Sequence, residues 1–252
     1  MKMELTAHAA MNIVIPMAGR GSRFADIGVA RPKPLIEVRG RPMYAWAMDS
    51  LPLMLARRVV FLCLEDHLRE RALSDDIWSR YGHFDFDLEI IPLSEVTEGQ
   101  ACTVLTAAEW IDNDQPLLIY NADTFCRTRL AERLPRLPPQ VDGLLGVFHA
   151  AGDRWSFARA DATGRVWETA EKRRISDWAS TGLYYFRRGS DFVRHARAMI
   201  AAQERVGSEF YVAPVYNRLI AAGGEVCIDP AEEVWVLGTP EDLRSFEANF
   251  GG

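Results

Sequence analysis

Apolar residues follow two alternating rhythms along this chain. Short unbroken runs of four to seven residues read as strands buried on both faces, and three-and-four spacing reads as helices with one apolar side. Asn12 to Pro16 forms the first run. Arg58 to Leu64 and Pro116 to Tyr120 are two more, with Asp87 to Leu93 between them. Helical spacing separates them. Pro42 to Leu51 puts Met43, Trp46 and Ala47 on one face, and Leu68 to Ser79 follows. Gln100 to Ile111 turns Val104, Leu105, Ala108 and Ile111 inward. Strand followed by helix, repeated, predicts an α/β fold with βαβ units.

From about residue 140 the rhythm changes. Gly143 to Phe148 reads as a strand, and residues 157–160, 161–164 and 165–169 as strand, turn and strand, a hairpin. Gly182 to Arg187 is a further strand. A helix capped by Ser190 runs to about Gln203, and another spans Tyr211 to Ala222 with Pro214 in its first turn. Val226 to Ile228 and Val234 to Leu237 are short strands. Thr239-Pro240-Glu241-Asp242 opens a last helix with a cap, a proline and two acids on the helix dipole. The prolines at 135, 138 and 139 mark a seam between a first half, about 11–140, and a mixed second half, about 141–252. The expectation is a single unit with residues 1–10 as a loose extension.

Composition narrows the function. The chain has 252 residues, 48% apolar, with 29 Lys and Arg against 35 Asp and Glu, a net charge of −6. A mildly acidic chain lacks the basic footprint that nucleic acid requires. It also has no apolar run long enough to span a membrane and no signal-like N-terminus, so the reading is cytoplasmic, without membrane insertion. Cys63, Cys102, Cys126 and Cys227 form no Cys-x-x-Cys pair and read as free thiols, and the five histidines lack metal-ligand spacing.

The densest chemistry follows the first strand: Ala18-Gly19-Arg20-Gly21-Ser22-Arg23-Phe24, then Arg31-Pro32-Lys33-Pro34-Leu35. Gly19 and Gly21 admit a ligand close to backbone N–H groups. Arg20, Arg23 and Lys33 add a positive lining suited to a polyphosphate. The dinucleotide fingerprint is excluded because its third glycine position is Phe24, and no P-loop stretch exists. The competing reading is a tight surface turn with solvated arginines.

This loop resembles the signature of the sugar-1-phosphate nucleotidyltransferases, and most closely members tied to capsule and lipopolysaccharide synthesis and the choline-phosphate cytidylyltransferase-like enzymes. The resemblance runs from about Met11 to the helix after Thr239. It implies a Rossmann-like three-layer α/β/α fold with a mixed central sheet, of the GT-A-like type. It also implies transfer of a nucleoside monophosphate from CTP, UTP or dTTP to a sugar 1-phosphate or similar phosphorylated acceptor, with release of pyrophosphate, in supply of cell-surface polysaccharide precursors. A homo-oligomer is compatible with it.

Site residues follow from matched motifs. Ala18, Gly19, Gly21 and Ser22 fall on the nucleotide loop. Arg23 is assigned to the β- and γ-phosphates, and Lys33 to the α-phosphate. Asp123, in Asn121-Ala122-Asp123, matches the aspartate that holds Mg²⁺. Without the resemblance, a strand-end aspartate capping the next turn serves as well. Gly99 and Gln100 match a base-recognition turn, against an ordinary helix start. Glu171 and Lys172, with Thr181 and Gly182 beyond them, match the acceptor signature, the glutamate on sugar hydroxyls and the lysine on phosphate. The alternative is an exposed charged pair. One departure stands out. Related enzymes often carry a second metal aspartate where this chain has Val236, and Asp229, Glu232 or Glu233 is a candidate substitute. Two rival functions stay open here, a glycosyltransferase of related fold and a non-catalytic nucleotide-binding regulator.

Overall fold

In the computed structural model, which describes residues 10–69 and 72–251, the first apolar run becomes β1 (Met11–Met17). Twelve more strands follow: β2 (Glu37–Val38), β3 (Arg41–Pro42), β4 (Ala56–Leu64), β5 (Asp87–Leu93), β6 (Leu117–Tyr120), β7 (Thr124–Arg127), β8 (Val141–His149), β9 (Ser156–Ala160), β10 (Arg165–Glu171), β11 (Trp178–Phe186), β12 (Glu225–Pro230) and β13 (Glu233–Val236). Nine build one sheet in the order β5-β4-β1-β6-β11-β8-β12-β10-β9. The strands β5, β4, β1 and β6 are mutually parallel, and β11 runs antiparallel to both β6 and β8. The sheet is therefore mixed.

This order explains where a ligand fits. From β1 the chain steps outward through β4 to β5, then crosses back to set β6 on the other side of β1. At such a reversal the loops leaving the two strands diverge and open a crevice at their carboxyl ends. The loop after β1 and Asn121-Ala122-Asp123 after β6 flank that crevice. Because β11 is antiparallel to β6, with Leu183 opposite Tyr120, its residues 180–182 reach the same edge.

Alternation along β1 loads both faces of the sheet. Ile13 and Ile15 join Phe61, Leu118 and Tyr120 under Tyr44 and Ala47 of the helix Met43–Met48 and under Ile77 of Ala72–Tyr81. Val14 faces the other way, with Ile119, Leu145 and Phe186, beneath the helices Gly189–Ala201 and Val215–Ala221. All of these residues are buried. Helices cover both faces, which is the three-layer α/β/α arrangement. Among the described residues no helix is long and apolar enough to cross a membrane.

Several elements differ from expectation. The helix foreseen over 100–111 breaks into Gln100–Leu105 and Ala108–Ile111, where the Thr106 hydroxyl donates to the Thr103 carbonyl and competes with the helix ladder. Its buried face is Ala101, Val104, Ala107 and Ile111. The helix expected from Tyr211 begins at Val215, after Pro214. The helix assigned to a Ser190 cap starts at Gly189 with Arg188 before it and no side-chain cap. A Cβ on Gly189 would lie 2.0 Å from the Ile111 carbonyl oxygen, so close packing decides that start. The helix drawn across residues 68–79 is Ala72–Tyr81, preceded by the short helix Glu65–Leu68; residues 70 and 71 lie outside the described residues. So does the extension expected over 1–10, except for Ala10.

The last helix, Pro240–Asn249, starts as expected. The Thr239 hydroxyl accepts from the Asp242 amide at 3.1 Å and donates to the Asp242 carboxylate at 2.8 Å. Thr239→Ala removes both bonds and is expected to lower stability by about 1 kcal/mol, measurable as a drop in the urea unfolding midpoint.

Candidate active site

The loop after β1 turns sharply because Gly21 adopts the left-handed conformation, φ 64°. A Cβ there would lie 2.9 Å from the Cβ of Lys33. Gly21 thus lets the lysine stem pass beneath the loop. Lys33 itself opens a 3-10 turn, Lys33–Leu35, between two prolines that fix its direction. Its Nζ donates to Asp123 Oδ2 at 2.5 Å, with both side chains about a quarter exposed. A lysine and an aspartate 90 positions apart meet across the crevice between β1 and β6.

Around this pair lies a cavity of about 420 Å³. Ala18, Gly19, Arg23, Lys33, Gly99, Gln100, Asp123, Glu171, Thr181 and Gly182 all line it. Gly19 faces open space, with nothing within 4 Å of where its Cβ would be. Three expected residues do not form its wall. Gly21 sits under Lys33. Ser22 is exposed at the head of the short helix Ser22–Ala25, where its carbonyl accepts from the Asp26 amide. Lys172 takes a positive φ of 52° at the end of β10, and its Nζ reaches the Tyr211 hydroxyl at 2.5 Å instead.

One end of the cavity is shaped by the segment before the helix Gln100–Leu105. Gly99 has φ 127°, and a Cβ would fall 2.5 Å from both N and O of Phe210. The Phe210 amide donates to the Glu98 carbonyl, and the Ala101 amide to the Phe210 carbonyl. Backbone packing therefore accounts for this glycine. Gln100 Nε2 donates to Asn121 Oδ1 at 2.5 Å, which ties the turn to the end of β6. Asn121 also explains Gly182: with φ 84°, a Cβ there would lie 2.3 Å from the Asn121 amide nitrogen. The glycine makes room for Asn121, and it also lines the cavity. Thr181 is buried, and its hydroxyl has no hydrogen-bond partner in the protein.

Another part of the wall is acidic and aromatic. Glu171 closes β10, is 8% exposed, and accepts from the Ser156 hydroxyl. Burial raises its carboxyl above the ordinary range, Ser156 and Lys172 pull it down, and Glu209 pushes it up. Tyr184, fully enclosed, has its phenol pushed up to about 12 by burial. Tyr211 donates to Glu209. Since Glu171 binds its proton more tightly folded than unfolded, its contribution to stability falls as pH rises from about 4.3 through the raised value. Glu171→Gln is therefore expected to gain in melting temperature relative to the parent as pH rises through that window, as thermal scans at successive pH values would show.

The position of Val236 is informative. It lines the cavity near Asp123, and the Leu237 amide donates to the Asp123 carbonyl at 2.8 Å. None of the three acids considered as substitutes reaches the cavity wall. Asp229 pairs with Arg133, Glu232 with Arg129 and Glu233 with Arg127. Asp242, at the start of the last helix, does line it, beside Asp123, Glu171 and Glu209, and binds Arg154 at 3.0 Å. In the sequence Asp242 carried only a helix-start signal. Arg154, Trp155, Ser156, Glu209 and Tyr211 carried no motif, because strand pairing and chain reversal bring them in.

Comparisons with known proteins show what the chain as a whole is similar to. The family model described as "Nucleotidyl transferase" matches residues 13–247. The nucleoside-diphosphate-sugar pyrophosphorylase of Vibrio cholerae RC9 is 32% identical, with a TM-score of 0.81 over 94% of this chain and 100% of that one. The inositol-1-phosphate CTP transferase of T. maritima shares the fold at 14% identity, TM-score 0.72, over 96% of this chain and 98% of that one. The CMP-5'-(3-aminopropyl)phosphonate synthase of Streptomyces rubellomurinus is 26% identical over 94% of this chain, which spans 38% of that protein's length.

Proposed function

The chain belongs to the nucleotidyl transferase family, and we propose that it transfers the nucleoside monophosphate of CTP, UTP or dTTP to a small acceptor bearing a phosphate or phosphonate, releasing pyrophosphate. A sugar 1-phosphate is one acceptor of this kind. The product would serve as an activated precursor for cell-surface polysaccharide. CTP is the first donor to test, because the Streptomyces relative is named for a CMP product carrying a phosphonate.

One observation carries the proposal: Lys33 and Asp123 meet at 2.5 Å on the floor of the crevice between β1 and β6, directly beside the glycine loop. Phosphoryl and nucleotidyl transfers depend chiefly on positioning and charge neutralisation. Arg23 binds the β- and γ-phosphates and the departing pyrophosphate. Lys33 leaves Asp123 for the α-phosphate, where negative charge builds as the acceptor oxygen attacks. Backbone groups at Ala18 and Gly19 steady the triphosphate. Gly99 and Gln100 border the base, with Gln100 held by Asn121. Glu171, Lys172, Thr181 and Gly182 form or support the acceptor end.

Asp123 would hold Mg²⁺. That ion takes one or two carboxylates together with substrate phosphates. The donor set fits, since Asp123 presents a carboxylate on the cavity wall beside the glycine loop. When bound with the triphosphate, Mg²⁺ would neutralise phosphate charge.

The test is pyrophosphate release from each of CTP, UTP, dTTP, GTP and ATP with Mg²⁺, across sugar 1-phosphates, phosphocholine and aminoalkylphosphonates. Acceptor-dependent pyrophosphate from one pyrimidine triphosphate is expected. Release of a nucleoside diphosphate from a nucleotide sugar, with no pyrophosphate from any triphosphate, would contradict the proposal.

A further inference from the structure

Asn121 follows β6 and Gln100 opens the helix Gln100–Leu105, and the two meet although 21 positions separate them. Gln100 Nε2 donates to Asn121 Oδ1 at 2.5 Å, and both residues line the cavity together with Gly182. Gly182 gives Asn121 its place. The Asn121 amide donates to the Gly182 carbonyl at 3.2 Å, and a Cβ on residue 182 would fall 2.4 Å from Asn121 Cγ. A bare glycine lets the asparagine side chain lie against β11.

A carboxamide has two ends of similar size and opposite polarity. Its oxygen accepts hydrogen bonds and its nitrogen donates them. The last torsion of a glutamine is broad and roughly two-fold, so a free Gln100 would offer either atom to a base. Asn121 removes that freedom. Its oxygen takes the Gln100 nitrogen, and among the described residues nothing donates to the Gln100 oxygen. The neighbouring hydroxyls are already spent. Those of Thr97 and Thr103 lie 2.6 Å apart, and they reach the Gly99 carbonyl oxygen at 3.0 and 3.3 Å. That leaves Gln100 to present a polar atom to a base edge.

We propose that Asn121 is a positioning residue for donor selectivity. It fixes the Gln100 carboxamide with its oxygen toward the base, so that a base bringing an N–H to that point is taken and one bringing a carbonyl oxygen is refused. The proposal rests on the transferase reading above, which sets the base beside Gly99 and Gln100. Two facing oxygens are both acceptors, and each is left without a partner. Such an unmade bond costs more than a made one gains. Selectivity then depends on an asparagine that acts through its neighbour, and on the glycine that makes room for it.

The experiment measures pyrophosphate release from CTP, UTP, dTTP, GTP and ATP, with Mg²⁺ and one fixed acceptor, in the parent, Asn121→Ala and Asn121→Asp. The readout is the ratio of kcat/KM between the best triphosphate and the next. All five carry the same charge, so the ratio reports on the base and not on the field near Asp123. Asn121→Ala frees Gln100 to turn, and the ratio is expected to fall about 10-fold, mostly through the KM of the best triphosphate. An ionised aspartate can only accept, so Asn121→Asp keeps the Gln100 nitrogen turned toward it and should hold the ratio within about threefold of the parent's. A general loosening of the fold would lower every triphosphate alike and leave the ratio in place, and a melting curve of each variant records it. An unchanged ratio in Asn121→Ala, a ratio in Asn121→Asp that falls with it, or a parent that uses the triphosphates equally overturns the proposal and leaves the transferase reading standing. Should Asn121→Ala not fold, Asn121→Asp decides alone: the parent's ratio upholds the proposal and a changed one overturns it. Pyrophosphate from no triphosphate, together with no heat on titrating any of them into the parent, overturns both.

Discussion

Lys33→Ala is expected to lower kcat by about 10²-fold or more while leaving the fold intact. In the proposed reaction the lysine supplies a positive charge at the phosphorus where the transition state becomes more negative than the ground state. An interaction made most strongly there is lost from kcat rather than from KM. The same change strips Asp123 of its 2.5 Å partner, but both side chains are partly solvated, so the stability cost is small. Lys33→Arg should restore little. A planar guanidinium is not a substitute for a compact ammonium. Arg23→Ala is expected to weaken turnover similarly. Steady-state kinetics with the preferred triphosphate, alongside a melting curve, separates these effects. Undiminished kcat in both alanine variants would remove Lys33 and Arg23 from the mechanism.

The second large effect is structural. Gly99→Ala puts a methyl group 2.5 Å from two backbone atoms of Phe210, at a φ of 127° that other residues avoid. Neither clash is with a flexible side chain. The hydrogen bonds of Phe210 to Glu98 and Ala101 must open to admit the methyl. Strain and broken pairing together are expected to cost about 3 kcal/mol, a fall of roughly 6–12 °C in melting temperature for a chain of this size. Gly19→Ala is the contrast, since nothing lies within 4 Å of its Cβ position. It should melt with the parent and lose activity only through crowding of the ligand. A Gly99→Ala protein that melts within about 2 °C of the parent would mean that the segment relaxes freely.

These two glycines mark the limit of what the sequence tells. Gly19 was legible as a place where a ligand comes close to the backbone, Gly99 only as part of a turn matched to base recognition. Only the fold distinguishes Gly19, which faces the cavity, from Gly99, which faces Phe210. The parallel strands were legible because burial on both faces forces continuous apolar runs. Asp123 was legible because it ends such a run. The strand β7 was not: it is four residues long, ends in Arg127, and is defined by pairing with β13 more than a hundred residues later. The acceptor wall was only half visible. Glu171 stood in a motif, whereas Ser156 meets it through the pairing of β9 with β10. Glu209 and Tyr211 arrive from the loop before the helix Val215–Ala221. The direction of Lys172 depends on one positive φ angle, which no local pattern announces for a lysine.

Val236 shows a different gap. A valine where the family resemblance implies an acid was visible, and the nearby acids Asp229, Glu232 and Glu233 were natural substitutes by position in the chain. Each is instead committed to an arginine away from the cavity. Asp242, a helix-capping partner that carried no such signal in the sequence, lines the cavity instead.

The central claim is that an acceptor oxygen attacks the α-phosphorus of a triphosphate. Its most direct test is to follow CTP labelled separately at the α- and γ-phosphorus through the reaction with Mg²⁺ and an acceptor. The account predicts that the α-label moves into the organic product and the γ-label into pyrophosphate, one for one. An α-label recovered as free CMP or CDP, or a γ-label recovered as orthophosphate, would contradict it.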